Sequence, residues 1–206
     1  MIDLLIDTFI QMLVIINPFS KIVYILDLRE DYSKKELLSI TLKSNTVAFL
    51  ILLTFTMIGT WLLRDFFHIE LAALKIAGGI IVAKVGYEYA VIELEKKHSI
   101  EKMNINEISA TPLGIPLIAG PGAITLAITL SYSRGILITA MGAFMAIIVN
   151  GLIMAGVVEE SSRINKIMIR VLAKIVGIFI LALGIQMVLM GVKDFMFEML
   201  YSKTIP

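Results

Sequence analysis

Asn17-Pro18-Phe19-Ser20 interrupts an apolar run from Leu4 to Leu28, and Ala119-Gly120-Pro121-Gly122 interrupts a second run from Ile108 to Tyr132. The prolines at 18 and 121 lie 103 positions apart in a chain of 206, so each half carries one break at a corresponding place. A broken helix leaves backbone N–H and C=O groups unpaired. Lipid cannot satisfy them, so such breaks persist in a membrane only where protein or a polar cavity takes over the bonds. A matched pair of breaks in two halves points to a transporter's binding site.

The surrounding composition makes the membrane setting firm. The chain is 58% hydrophobic with mean hydropathy +0.91. Charge-free stretches run from Ser44 to Leu63, Ile108 to Ser133 and Gly135 to Val158. Each reaches the roughly 20 residues that cross a hydrocarbon core. The reading is an all-α membrane protein with six spans at about 4–28, 37–63, 69–93, 108–132, 135–158 and 167–193. Met1-Ile2-Asp3 lacks the basic start of a cleaved signal peptide, so the first span is expected to be retained. Ser33-Lys34-Lys35-Glu36 is a capping pattern ahead of span two. In span three, Lys84 and Glu88 stand four apart and can pair on one helix face.

Basic residues concentrate in alternate connections. Arg29, Lys34, Lys35, Lys96, Lys97, Lys102, Arg163, Lys166 and Arg170 fall on one side, against Arg64, Arg134, Lys193 and Lys203 on the other. The positive-inside rule then places both termini outside the cytoplasmic membrane. A polar linker, 94–107, separates a first three-helix repeat, 1–93, from a second, 108–206. Lys75-Ile76-Ala77-Gly78 recurs as Lys174-Ile175-Val176-Gly177, an offset of 99. Three spans per half is an odd number, so the second repeat enters from the opposite face, giving an inverted repeat with helices 1 and 4 broken at mid-membrane.

Asn17 is a preferred helix N-cap and Pro18 suits the first helical position. Pro112, Gly114, Pro116, Gly120, Pro121 and Gly122 argue for irregular backbone up to about Pro121 and a clean helix after Gly122. Helix N-termini at mid-membrane have free N–H groups and a positive dipole end, which suit a carboxylate. Ser20, Ala123 and Thr125 adjoin the breaks; Asn45 and Asn150 occupy corresponding places in spans two and five; Gln186 lies in span six. For these polar residues the competing reading is an interhelical hydrogen bond. Gly78, Gly79, Gly177 and Gly184 read as close-packing positions.

Several chemistries are excluded or disfavoured. The chain has no cysteine and two histidines, so it has no thiol chemistry and an imidazole metal site is not expected. There is no Walker loop, no His-Glu-x-x-His and no Ser-Lys dyad, so an enzyme is not expected. No basic block with interleaved aromatics supports nucleic-acid binding. No cofactor is expected, with a coupling Na+ or H+ left open.

Ile16-Asn17-Pro18, ALKIAGGII at 73–81, PLIAGPGAI at 116–124 and GIQM at 184–187 occur in this order, and together the chain resembles the MarC family of integral membrane proteins over nearly its whole length. Members of that family commonly carry Ile-Gly where this chain has Phe19-Ser20, and often Arg in place of Lys75. Some members, the SnatA-like ones, transport small neutral amino acids such as glycine and alanine. The resemblance therefore implies a secondary transporter of that class. It puts the site at Asn17, Pro18, Gly120, Pro121 and Gly122, with Phe19 included by position. An exporter or pore for another small polar solute, a non-transporting membrane subunit and an intramembrane enzyme are the alternatives. Expected partners are a small-molecule substrate, the lipid bilayer and a second copy in a homo-oligomer.

Overall fold

A computed structural model describes residues 2–29, 31–91, 105–109, 118–160 and 166–202. Most of the linker and Pro112, Gly114 and Pro116 lie outside these. The described chain is helical: α1 (Ile2–Ile16), α2 (Pro18–Leu28), α3 (Lys34–Trp61), α4 (Leu71–Val91), α5 (Ile105–Ile108), α6 (Pro121–Arg134), α7 (Ile136–Glu160) and α8 (Lys166–Ser202). Among the described residues, four helical stretches are long and apolar enough to cross a membrane: Ile2–Leu26, Lys34–Phe66, Ile136–Glu160 and Ile167–Phe197. Many large apolar residues, among them Leu42, Leu50, Leu137, Leu152 and Ile167, point outward. On a soluble protein such surface would drive association, but against lipid it is the expected face.

Local sequence sets the helix ends. Ser33 caps α3 as a full capping box: Glu36 N–H donates to Ser33 Oγ at 3.4 Å, and Ser33 N–H donates to Glu36 Oε2 at 2.8 Å. Between α6 and α7 the chain reverses at Gly135, whose φ of 89° is one that side-chain-bearing residues avoid. α3 continues past Trp61 as a wider π-helical turn, Leu62–Phe66. α8, at 37 residues, runs well beyond the expected 167–193.

Charged side chains tie several helix ends together. Arg134 pairs with Asp7 at 2.6 Å and donates to Thr8 Oγ1 at 2.9 Å, joining the start of α1 to the α6–α7 turn. Lys34 pairs with Glu159 at 2.7 Å, so the start of α3 meets the end of α7. Lys75 pairs with Asp194 at 2.6 Å. Lys84 and Glu88 approach to 3.9 Å along α4 and are exposed, which is the simple pairing expected of them.

α4 and α8 form the most extensive helix pair, antiparallel and joined through small residues. Gly79 meets Gly184, Gly86 meets Gly177 and Leu181, and Gly191 meets Ala72 and Ile76. Close backbone approach at small residues is how helices associate in lipid, where no hydrophobic force drives them together. The contacts are reciprocal when Gly79 is matched with Gly177 and Gly86 with Gly184, an offset of 98 rather than the 99 of the Lys-Ile-x-Gly recurrence. Gly78, which that recurrence matches with Gly177, instead faces Thr125 of α6.

Candidate functional site

The first sequence break is a real interruption of helix, and at the second a helix begins. α1 ends at Ile16 and α2 starts at Pro18, with Asn17 between them at φ 50°. This is the left-handed conformation that asparagine tolerates and that commonly terminates helices. Asn17 therefore ends α1 rather than capping α2 in the expected way, since a capping residue takes extended backbone and uses its side-chain oxygen. Its N–H completes α1 by donating to Leu13 O at 3.1 Å. Its carbonyl accepts from Ser20 N–H at 3.3 Å and Ser20 Oγ at 2.9 Å. The carboxamide is left over: Asn17 is fully buried, and neither Oδ1 nor Nδ2 has a hydrogen-bond partner. An unpaired buried polar atom costs about 1–3 kcal/mol, so two on one side chain require an explanation.

At the second break the start of the helix has the expected form. Gly120 holds extended backbone (φ −72°, ψ 169°) and Pro121 occupies the first position of α6. Ile124 N–H donates to Gly120 O at 3.0 Å, which leaves the earlier N–H groups of Gly122 and Ala123 at the helix start. α6 has 14 residues, about 21 Å at 1.5 Å per residue, too short to cross alone. Both breaks can be measured from the Asp7–Arg134 pair. Along its helix the first lies about 15 Å away and the second about 20 Å, so both fall inside the apolar layer.

The fold brings the two breaks together. Gly122 lies between α1 and α4: a Cβ there would stand 2.7 Å from Val82 Cγ2 and 3.4 Å from Ile15 Cδ1. Ile15 is two residues before Asn17. Ile16, Asn17, Ile118, Ala119 and Ala123 are all buried around this meeting point, with Phe19 half-buried and packed against the core. Pro18 is buried, whereas Pro121 is exposed.

The other candidates divide. Thr125 is buried, but its hydroxyl donates to Pro121 O at 2.9 Å and its methyl packs on Gly78. Its role is to close the first turn of α6 and seat α4. Ser20 holds the first break and also interacts with the Tyr89 hydroxyl on α4. Asn45 and Asn150 are brought together, Asn150 Nδ2 donating to Asn45 Oδ1 at 2.8 Å, while Asn45 Nδ2 donates to Thr41 O at 2.8 Å. They join α3 to α7 as an interhelical bond. Alanine at either position is expected to destabilise the protein, with a coupling of about 0.5–2 kcal/mol in a double-mutant cycle followed by unfolding in detergent. A coupling near zero would mean the bond carries no stability. Gln186 is exposed on α8, about 200° around the helix from Gly184, which packs on α4. It is not brought to the breaks.

Sequence reasoning passed over Lys21. It lies one helical turn after Asn17, is almost fully buried, and its ammonium donates to the carbonyl of Ile16, the last residue of α1. A lysine inside an apolar run was the available signal. Among the described residues, no group of His, Asp and Glu side chains is placed to hold a metal ion.

Residues 2–196 match the description of the MarC family of integral membrane proteins. A UPF0056 membrane protein of Pyrococcus horikoshii is 36% identical over 197 residues, which cover 93% of this chain and 94% of the relative. A UPF0056 membrane protein of Aquifex aeolicus is 34% identical over 203 residues, 93% of each chain. One from Bacillus subtilis is 28% identical over 219 residues, covering 98% of this chain and all of the relative. No solved structure matches.

Proposed function

The chain belongs to the MarC family of integral membrane proteins, and from that premise we propose that it is a secondary transporter of small neutral amino acids of the glycine and alanine class. One observation carries the reading: the end of α1 and the start of α6 meet at Ile15 and Gly122, and Asn17, two residues beyond Ile15, has a buried carboxamide with no partner. A zwitterion has carboxylate acceptors and ammonium donors close together. Asn17 offers both a donor, Nδ2, and an acceptor, Oδ1, and the start of α6 offers free N–H groups.

Alternating access between two inverted three-helix repeats is the mechanism proposed. The packing supports it. α2 on α7 has a counterpart in α6 on α3, and α2 on α8 has one in α6 on α4. α3 with α7, α4 with α8, and α1 with α6 pair equivalent spans of the two halves across the centre. The contact between α6 and α7 has no counterpart of similar extent between α2 and α3.

The test is uptake of labelled alanine and glycine by proteoliposomes holding the purified protein, under an imposed Na+ gradient and separately under a proton gradient. Accumulation above protein-free vesicles is expected under one of them, and competition by excess unlabelled alanine should abolish it. Absence of movement under both gradients would remove the amino-acid reading.

A further inference from the structure

We infer that Lys21 is the electrostatic anchor of the site, and that the solute bound at the first break is one that carries a carboxylate. The inference deepens the proposed function and rests on it. Among the described residues Lys21 is the one fully buried side chain of the charged types, and no carboxylate there pairs with it. Its ammonium has three donors, of which the Ile16 carbonyl takes one. A buried charge without a counter-charge is expensive, and in a membrane such residues mark sites of function.

The position adds an independent argument. Ile16 O, which Lys21 holds, belongs to the residue next to Asn17, whose carboxamide is buried and unpartnered. The lysine ammonium is thus held at the residue adjoining the one that carries the unpartnered amide. Two carboxylate oxygens accepting from these two groups would give the lysine its counter-charge and the carboxamide its partner in a single event. The backbone carbonyls there are already engaged, Ile16 O by Lys21 and Asn17 O by Ser20, so beside the one free acceptor, Asn17 Oδ1, the groups left over are donors: Asn17 Nδ2 and the rest of the lysine. That excess of donors favours a carboxylate. The lysine also stands at the negative end of the α1 dipole, which favours its protonated form.

The experiment compares wild type, Lys21→Arg and Lys21→Met in proteoliposomes, with alanine and alaninamide as competitors of labelled alanine, and in parallel measures the thermal stability of the purified proteins with added propionate or propionamide. Alanine and propionate, but not the amides, are expected to compete and to stabilise wild type. Lys21→Met should raise the KM for alanine on the order of 30-fold or more, the loss expected when one side of a buried charge pair is removed. It should also lose the preference for acid over amide, and Lys21→Arg should retain that preference. Lys21→Met with unchanged KM and unchanged acid preference would overturn the anchor while leaving amino-acid transport intact. A wild type that moves no alanine yet is stabilised by propionate through Lys21 would overturn the transport reading and keep the anchor. No stabilisation of wild type by propionate would overturn the anchor itself.

Discussion

Flux through the Gly122→Leu protein is expected to fall on the order of ten- to a hundred-fold while the protein still inserts and folds. Gly122 is the closest point between the second break and α1. A Cβ there meets the ends of side chains, Val82 Cγ2 at 2.7 Å and Ile15 Cδ1 at 3.4 Å, and no backbone. Val82 can rotate away from one methyl group, so Gly122→Ala should transport with reduced rate. The further carbons of leucine have no such escape. They fill the space where α1, α4 and α6 converge, next to Asn17, and block both the solute and the relative movement of the broken helices. Initial rates of labelled alanine uptake, with the amount of folded protein checked by size-exclusion chromatography, decide the matter. Wild-type rates in the leucine variant would remove Gly122 from the site.

Gly86→Val should act differently, by breaking the fold. A Cβ at Gly86 would stand 2.2 Å from Leu181 N, 2.6 Å from Leu181 Cα and 2.8 Å from Gly177 O, all main-chain atoms of α8. Nothing can rotate away, so α4 and α8 must separate along the face where they are most closely joined. Gly184, whose added Cβ would stand 2.3 Å from Ala83 N, faces the same conflict from the other helix. The loss is expected to reach about 3 kcal/mol or more, the upper end for overpacking. Gly156 on α7 has nothing within 4 Å and is the control: alanine there should be neutral or slightly stabilising. Thermal unfolding in detergent should rank Gly86→Val far below Gly156→Ala. Equal stabilities would mean that the α4–α8 contact is not held by its small residues.

The contrast between these glycines marks what a sequence can and cannot reveal. Asn17-Pro18 and Gly120-Pro121 were legible because they act through the backbone: proline removes a donor and fixes φ wherever it stands. The capping box at Ser33 and the close-packing role of Gly79, Gly177 and Gly184 were legible for the same local reasons. Helix faces were not. α8 is apolar nearly all round, so no periodicity showed that Gln186 points outward while Gly184 points inward. Lys21 reads in sequence like any lysine that extends toward a headgroup, and only the packing of α2 reveals that it is buried against Ile16. Asn17 was found for a partly mistaken reason. Its left-handed backbone, not a capping side chain, makes the break, and this leaves the carboxamide without a partner.

The most direct measurement is an experimental density map of the protein in lipid at saturating alanine. The account expects density for one small molecule at the meeting of the two breaks, within hydrogen-bond distance of the Asn17 carboxamide and the Lys21 ammonium. Density for alanine elsewhere, with the Asn17 carboxamide still buried and without a partner, would contradict it.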